Sequence, residues 1–325
     1  MSKRARVILS MLTLYVVWGT TYLGIKVGLD GSLPPALFAG LRTVPAALIL
    51  FALAAFRGSS LRVEPSALSI LSIVGILLLV GGQYGTILAE QYVPSGLSAL
   101  IVALLPLWIA LAESVFPDMQ RPGRLGWLGL IVGFTGLGIL LWPRLTGVSA
   151  GAREFLGIGI QILATWLWTA GSIYSKRNPL RVDGIVATAY EMLFAGVVTL
   201  ALGTALGEWR HFSLTPKGAG ALAYLTVVGS CIAFTAFVYA LANLPASKVM
   251  TYAYINPVIA VFAGWLAGRV GLVPPEPVSA AMFIGMIVIV SGVALTTASP
   301  TLPPRRPGKP LGDAENHLEP VPSEV

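Results

Sequence analysis

The sequence predicts an all-α membrane protein, with ten transmembrane helices arranged as two inverted-topology repeats of five. Three observations carry that expectation. The 325-residue chain is 56% hydrophobic and only 11% charged, with mean hydropathy +0.81, whereas soluble domains carry about 25% charged residues. Apolar runs of about 20 residues, each long enough to cross a hydrocarbon core of ~30 Å as a helix, recur along most of the length. Polar landmarks of the first half return in the second at a nearly constant offset. A spanning β-barrel is rejected, because its strands would alternate in character over ~10-residue segments and these runs are continuous.

Turn residues and charges divide the chain into helices at 8–28, 35–56, 66–89, 95–116, 125–142, 155–175, 184–207, 218–242, 246–267 and 278–298. Lys3, Arg4 and Arg6 ahead of the first run resemble the start of a signal peptide. That run continues through Tyr22 and Ile25 without a small-residue cleavage site, so it is read as an uncleaved span. Residues 1–7 are then a cytoplasmic N-terminus, 8–143 the first repeat, 155–298 the second, and 299–325 a disordered cytoplasmic tail. The tail is rich in proline and charge and has no helical periodicity.

Orientation follows from the positive charges. With the N-terminus inside, thirteen Lys and Arg residues fall in inner segments against five in outer ones, which favours both termini in the cytoplasm of a cell whose inner or plasma membrane holds the protein. The net charge of +7 therefore reflects topology and gives no reason to expect nucleic acid. Cys231 is the one cysteine, so no disulfide framework or cysteine metal site is expected. His211 and His317 fall outside the apolar runs, which argues against a histidine metal centre.

The repeat is visible in three pairs of landmarks. Trp18 and Lys26 recur as Trp168 and Lys176, at an offset of 150. Pro94 and Pro106 recur as Pro245 and Pro257, and the Gly129, Gly136 spacing recurs as Gly285, Gly292. Five spans per copy is an odd number, so the second copy enters the membrane from the opposite side, as in many secondary transporters whose substrate site lies near the midplane between the halves.

Polar side chains inside such helices mark a pathway by default, since an ionised group at mid-depth costs roughly 2.5–3.5 kcal/mol. Trp18, Tyr22 and Lys26 share one face of the first helix at i, i+4 and i+8, and Trp168, Ser172 and Lys176 repeat that spacing. Arg42, two turns inside its helix, is either a substrate or gate contact or half of a structural ion pair. Glu191 is either a proton-coupling carboxylate or a structural hydrogen-bond partner, and Glu113 an interfacial residue or an inner-gate partner. Gln83, Tyr84, Tyr239 and Asn256 are further candidates for the cavity wall. Lys176 and Lys248, near helix ends, fit snorkelling better than function, and Trp142 and Trp209 fit interfacial anchoring. Pro106 and Pro257 each remove a backbone hydrogen bond in mid-helix, as hinges or as static kinks.

The stretches W-G-T-T-Y-L-G-I-K-V-G-L, P-P-A-L-F-A-G-L-R-T-V-P-A-A-L-I-L, V-P-S-G-L-S-A-L-I-V-A-L-L-P and G-L-I-V-G-F-T-G resemble the first EamA repeat of the drug/metabolite transporter superfamily. The resemblance continues to about residue 298. It implies ten helices, cytoplasmic termini, and export or exchange of small metabolites, often amino acids or related compounds, driven by a gradient rather than ATP. It also implies that Trp18, Tyr22, Arg42 and the helices of Pro106 and Pro257 build the cavity and its gates. The family's usual Gly-Glu near the end of the fourth helix of each repeat is missing; F-P-D-M-Q-R and A-G-R-V-G-L-V-P-P-E-P stand there, leaving Asp118 or Glu276 as substitutes. No cofactor and no catalytic residue is expected. A coupled proton and a homodimer stay open. The alternative, an integral-membrane lipid or prenyl transferase, would need clustered Asp, Glu or His for metal or nucleophile activation, and no such cluster stands in the sequence.

Overall fold

The computed structural model of the chain describes residues 1–93, 98, 101–116, 118–145, 152–271 and 280–303. The described residues are nearly all helical. The helices are α1 (Lys3–Asp30), α2 (Pro35–Phe56), α3 (Pro65–Ala89), α4 (Leu105–Val115) and α5 (Arg124–Leu145), then α6 (Ala152–Arg177), α7 (Gly184–Ala205), α8 (Pro216–Asn243), α9 (Ala246–Arg269) and α10 (Ala280–Ala298). Seven of them, α1 to α3 and α6 to α9, are long and apolar enough to cross a membrane. The other three contribute shorter apolar stretches, Leu105–Val115, Arg124–Ile139 and Phe283–Ala298. Their outward faces remain apolar, as at Leu48, Val197, Phe262 and Ile287, which suits contact with lipid. Pro94, Glu276 and the stretch from residue 304 onward lie outside the described residues.

Local chemistry sets the helix ends. Ser2 accepts from the Ala5 N–H (3.2 Å) to open α1, and Asp183 and Thr215 cap α7 and α8 in the same way. Proline occupies the first turn of α2, α3 and α8, where its missing N–H costs nothing. The α2 start is capped from the other half: both Glu208 oxygens accept backbone N–H bonds there, from Ala36 (3.2 Å) and Leu37 (2.8 Å).

Two departures from the sequence expectation concern proline. Pro106 stands in the first turn of α4, after a break at Ala103–Leu104, and so removes no interior hydrogen bond. Prolines inside helices include Pro257 in α9 and Pro45 in α2. A third departure is at the C-terminal end, where Thr301–Leu302 pairs antiparallel with Arg121–Pro122 in place of an unstructured start to the tail.

Three helices contain wide π turns, at Leu14–Trp18 of α1, Ile76–Tyr84 of α3 and Leu225–Ile232 of α8. A π turn rotates the following face and loosens the backbone bonding, which is why such turns gather at functional sites.

The helices pair across the two halves. α5 lies along α10 and α2 along α7 over the greatest lengths, while α1 packs on α8 and α9, and α6 on α3 and α4. Exchanging each helix for the one five places later reproduces the same set of neighbours. At the helix ends, Thr215 Oγ1 donates to Gly31 O (3.1 Å), tying the α7–α8 connection to the α1–α2 connection. Elsewhere, Lys176 at the end of α6 donates to Leu241 O (2.7 Å) in α8, and Arg6 at the start of α1 lies over the Tyr239 ring (5.7 Å) of the same helix end. The chain therefore enters α1 at the end of the bundle where α6 finishes.

The α5–α10 seam is built on small residues, which let the backbones meet. A Cβ at Gly292 would strike the Gly133 backbone, whereas one at Gly138 would meet open space. Gly292→Val is expected to cost about 1–3 kcal/mol through overpacking and to lower the heat-unfolding midpoint in detergent. Gly138→Val is expected to leave that midpoint unchanged.

Candidate functional site

A cavity of about 80 Å³ lies where the two halves meet, room for several waters at about 10–15 Å³ each. From the first half come Trp18, Thr21 and Tyr22 of α1, Arg42 of α2, and Gly82, Gln83 and Thr86 of α3. From the second come Gln161, Thr165 and Trp168 of α6, and Tyr252 and Asn256 of α9.

Trp18 is its hub. Its ring meets Trp168 edge-on (centroids 5.5 Å, 81°) and Tyr252 edge-on (4.7 Å, 75°), and lies 5.3 Å from Phe237. Each such pair contributes about 0.5–1.5 kcal/mol beyond burial. Its Nε1 donates to Gly229 O (3.2 Å) within the π segment of α8. A π turn thus supplies the acceptor that lets an indole N–H be buried.

The same segment positions Arg42. Its guanidinium is 2% exposed, and Nε donates to Ser230 Oγ at 2.9 Å. Among the described residues no carboxylate pairs with it. A buried cation held by one hydroxyl and facing a cavity is poised for an acceptor group entering that cavity. Two more polar atoms of the wall are unspent: Trp168 Nε1, a donor, and Gln83 Oε1, an acceptor, are buried without a partner. An unsatisfied buried group costs about 1–3 kcal/mol, a cost that a bound ligand can offset.

Opposite Arg42, the break in α9 at Met250–Thr251 is stitched to α1. Tyr15 Oη and Thr251 Oγ1 share a 2.9 Å hydrogen bond. The Asn256 amide nitrogen donates to the Tyr15 (3.3 Å) and Tyr252 (3.0 Å) carbonyls.

The other candidates lie elsewhere. Tyr84 points away from the cavity into the cluster of Ile25, Leu33 and Phe38. Ser172 is fully buried, with its hydroxyl given to Trp168 O (2.7 Å). Tyr239 sits beneath Arg6. Lys26 is exposed and paired with Asp30 (2.9 Å). Glu113 Oε1 accepts from the Ser247 N–H (3.2 Å), so it caps the start of α9 across the halves. Glu191 lines a second cavity of about 230 Å³ beside Lys176, between α3, α6, α7 and α8. Asp118 pairs with Arg177 (2.9 Å), tying the α4–α5 connection to α6.

Three residues of interest escape the sequence reading. Gln161 and Thr165 stand on the Trp168 face of α6 at i and i+4, so extending that stripe two turns upstream finds them. Glu90 is 8% exposed, and neither carboxylate oxygen has a partner. It follows the last apolar turn of α3, where the sequence alone does not distinguish it from a connection residue.

The sequence profile of the EamA-like transporter family matches residues 5–142 and 155–298. The chain belongs to the EamA-like transporter family. The "Uncharacterized inner membrane transporter YedA" of Escherichia coli K12 is 34% identical over 300 residues, which span 92% of each chain. The "Uncharacterized transporter YvbV" of Bacillus subtilis 168 is 26% identical over 300 residues, 90% of this chain and 92% of that one. A solved crystal structure shares the fold with a TM-score of 0.74 at 22% identity, covering 91% of this chain and 97% of the other. The two matched EamA segments each contribute to the central cavity. The protein is thus a multi-pass membrane protein of a transporter family, with a polar cavity between the two family units.

Ser230 holds Arg42 in place, so Ser230→Ala is expected to cost about 1–3 kcal/mol by leaving Nε unpaired. Ser230→Thr keeps the hydroxyl and is expected to restore most of the loss. Thermal unfolding of the purified variants in detergent checks both.

Proposed function

We propose that the protein is a secondary transporter that exports or exchanges small metabolites such as amino acids or related compounds, by alternating access to the cavity around Trp18, Trp168 and Arg42. The observation that carries this reading is the cavity wall itself. It combines a buried guanidinium without a carboxylate, an unspent indole N–H and an unspent amide carbonyl. Such a wall suits a small solute with a carboxylate or similar acceptor group and an apolar part that rests on the tryptophans.

The ten helices act in this reading as membrane spans, and the two EamA units as inverted repeats with both termini in the cytoplasm of an inner or plasma membrane. Support comes from the exchange-symmetric helix pairing, from α1 beginning where α6 ends, and from the contact between Trp18 and its equivalent Trp168. A residue can touch its own equivalent only near the axis relating two copies. Rocking of one unit against the other would open the cavity to each side in turn. The break and Pro257 in α9, with Pro45 in α2, are the hinge candidates. Glu113, which caps the start of α9 from the other unit, is a contact that one access state would keep and the other release. The Glu191 cavity would serve as the inner vestibule.

Flux tests this directly. Proteoliposomes containing the wild-type protein are expected to exchange labelled amino acids. Arg42→Ala is expected to reduce that exchange about ten- to a hundredfold, the equivalent of one charged hydrogen bond of about 1.5–3 kcal/mol. Full flux in a folded Arg42→Ala preparation would remove Arg42 from the pathway, and no exchange by folded wild-type protein would overturn the amino-acid reading.

A further inference from the structure

We propose that Glu90 is a proton-carrying site whose charge state is relayed to the central cavity through Ser98, Gln161 and Thr86. This deepens the transporter reading above by naming the coupled ion and its carrier.

A directed chain of hydrogen bonds links Glu90 to the cavity. Ser98 Oγ lies within donating reach of the Glu90 carboxyl, and in this structure its proton goes to Gln161 Oε1 at 2.9 Å. Gln161 Nε2 then donates to Thr86 Oγ1 at 3.1 Å, and Thr86 donates to Gly82 O at 3.0 Å. Every donor in the chain points from Glu90 toward the cavity, and Gln161, Thr86 and Gly82 line that cavity. With its proton spent on Gln161, Ser98 offers Glu90 only lone pairs. A carboxylate would be repelled by them, whereas a carboxylic acid can donate to them. Both Glu90 oxygens are otherwise unpartnered and shut off from solvent, the setting in which an ionised carboxylate is most costly. The titratable groups facing Glu90 are Tyr22 and Lys26 of α1, and Lys26 also pairs with Asp30 at the exposed end of that helix.

Loss of the proton reverses the chain. In an access state that admits water to Glu90, its O–H bond breaks, the proton passes to that water, and the carboxylate takes the Ser98 hydroxyl as donor. Gln161 Oε1 then lacks a donor, and turning its amide lets it accept from Thr86. Thr86 thereby releases the Gly82 carbonyl into the cavity. The hydrogen-bonding capacity of the cavity wall thus depends on a proton held outside it, which is the linkage that coupled transport requires.

Two measurements test this on the full chain. The first is the infrared difference spectrum of wild type minus Glu90→Gln, in detergent at neutral pH. It is expected to show the carbonyl band of a protonated carboxyl; a carboxylate band in its place would overturn the proposal. The second follows a pH-sensitive dye inside proteoliposomes when a mixture of the common amino acids is added. Wild type is expected to move protons with the amino acids, and Glu90→Gln to exchange amino acids without moving protons. Proton movement retained in Glu90→Gln, or amino-acid flux without protons in wild type, would sink the coupling role. If wild type moves no amino acid, the substrate reading fails, and the infrared spectrum still decides whether Glu90 holds a proton.

Discussion

The contact on which the rest of the molecule depends is Trp18 at the junction of the two halves. Its ring stacks edge-on against Trp168 and Tyr252 of the second half, and its N–H is buried by donating to Gly229 of α8. A membrane helix has no water to satisfy a polar group, so an indole at this depth needs an acceptor inside the protein. The π segment of α8 provides it, and next to that acceptor Ser230 secures Arg42. One irregular stretch of backbone therefore places both the aromatic hub and the buried cation.

Satisfied and unsatisfied groups divide the structure. Many polar residues away from the centre are paired within the protein: Thr43 and Thr199 bond back to their own helices, Lys176 binds the end of α8, and Glu208 caps α2, while Glu90, Glu113, Glu191 and Trp108 each keep a buried polar atom without a partner. At the cavity the pattern changes, with Arg42 lacking a carboxylate and Trp168 Nε1 and Gln83 Oε1 left unpartnered. A seam of glycines elsewhere gives tight packing between α5 and α10.

Much of the architecture was legible in the sequence because the signals are strong in a membrane chain. The helix that opens at Pro35 and stops before Arg57 and Gly58 has the bounds that proline and charge dictate. α1 begins earlier than hydropathy suggests, since Ser2 caps a turn containing Lys3, Arg4 and Arg6 that remains helical while leaving the apolar run. Trp18, Tyr22, Arg42, Gln83, Trp168 and Asn256 were brought to one cavity, but Tyr84 was not. Its neighbour Gln83 lies in a π segment, where a regular 100° step misjudges which side chain faces inward. The placement of Pro106 in a first turn depends on a break at Ala103–Leu104 that no local residue announces. Glu90 was overlooked for a related reason: the end of an apolar run looks like a surface, and only the packing of neighbouring helices buries it.

The central claim is that this cavity faces each side of the membrane in turn. Cysteine accessibility tests it most directly. With Cys231 replaced by serine and Thr165 by cysteine, a membrane-impermeant maleimide is applied to one face or the other of oriented vesicles. The account predicts reaction from both faces, slowed from both by a transported amino acid. Reaction from one face only, or a rate indifferent to the solute, would contradict it.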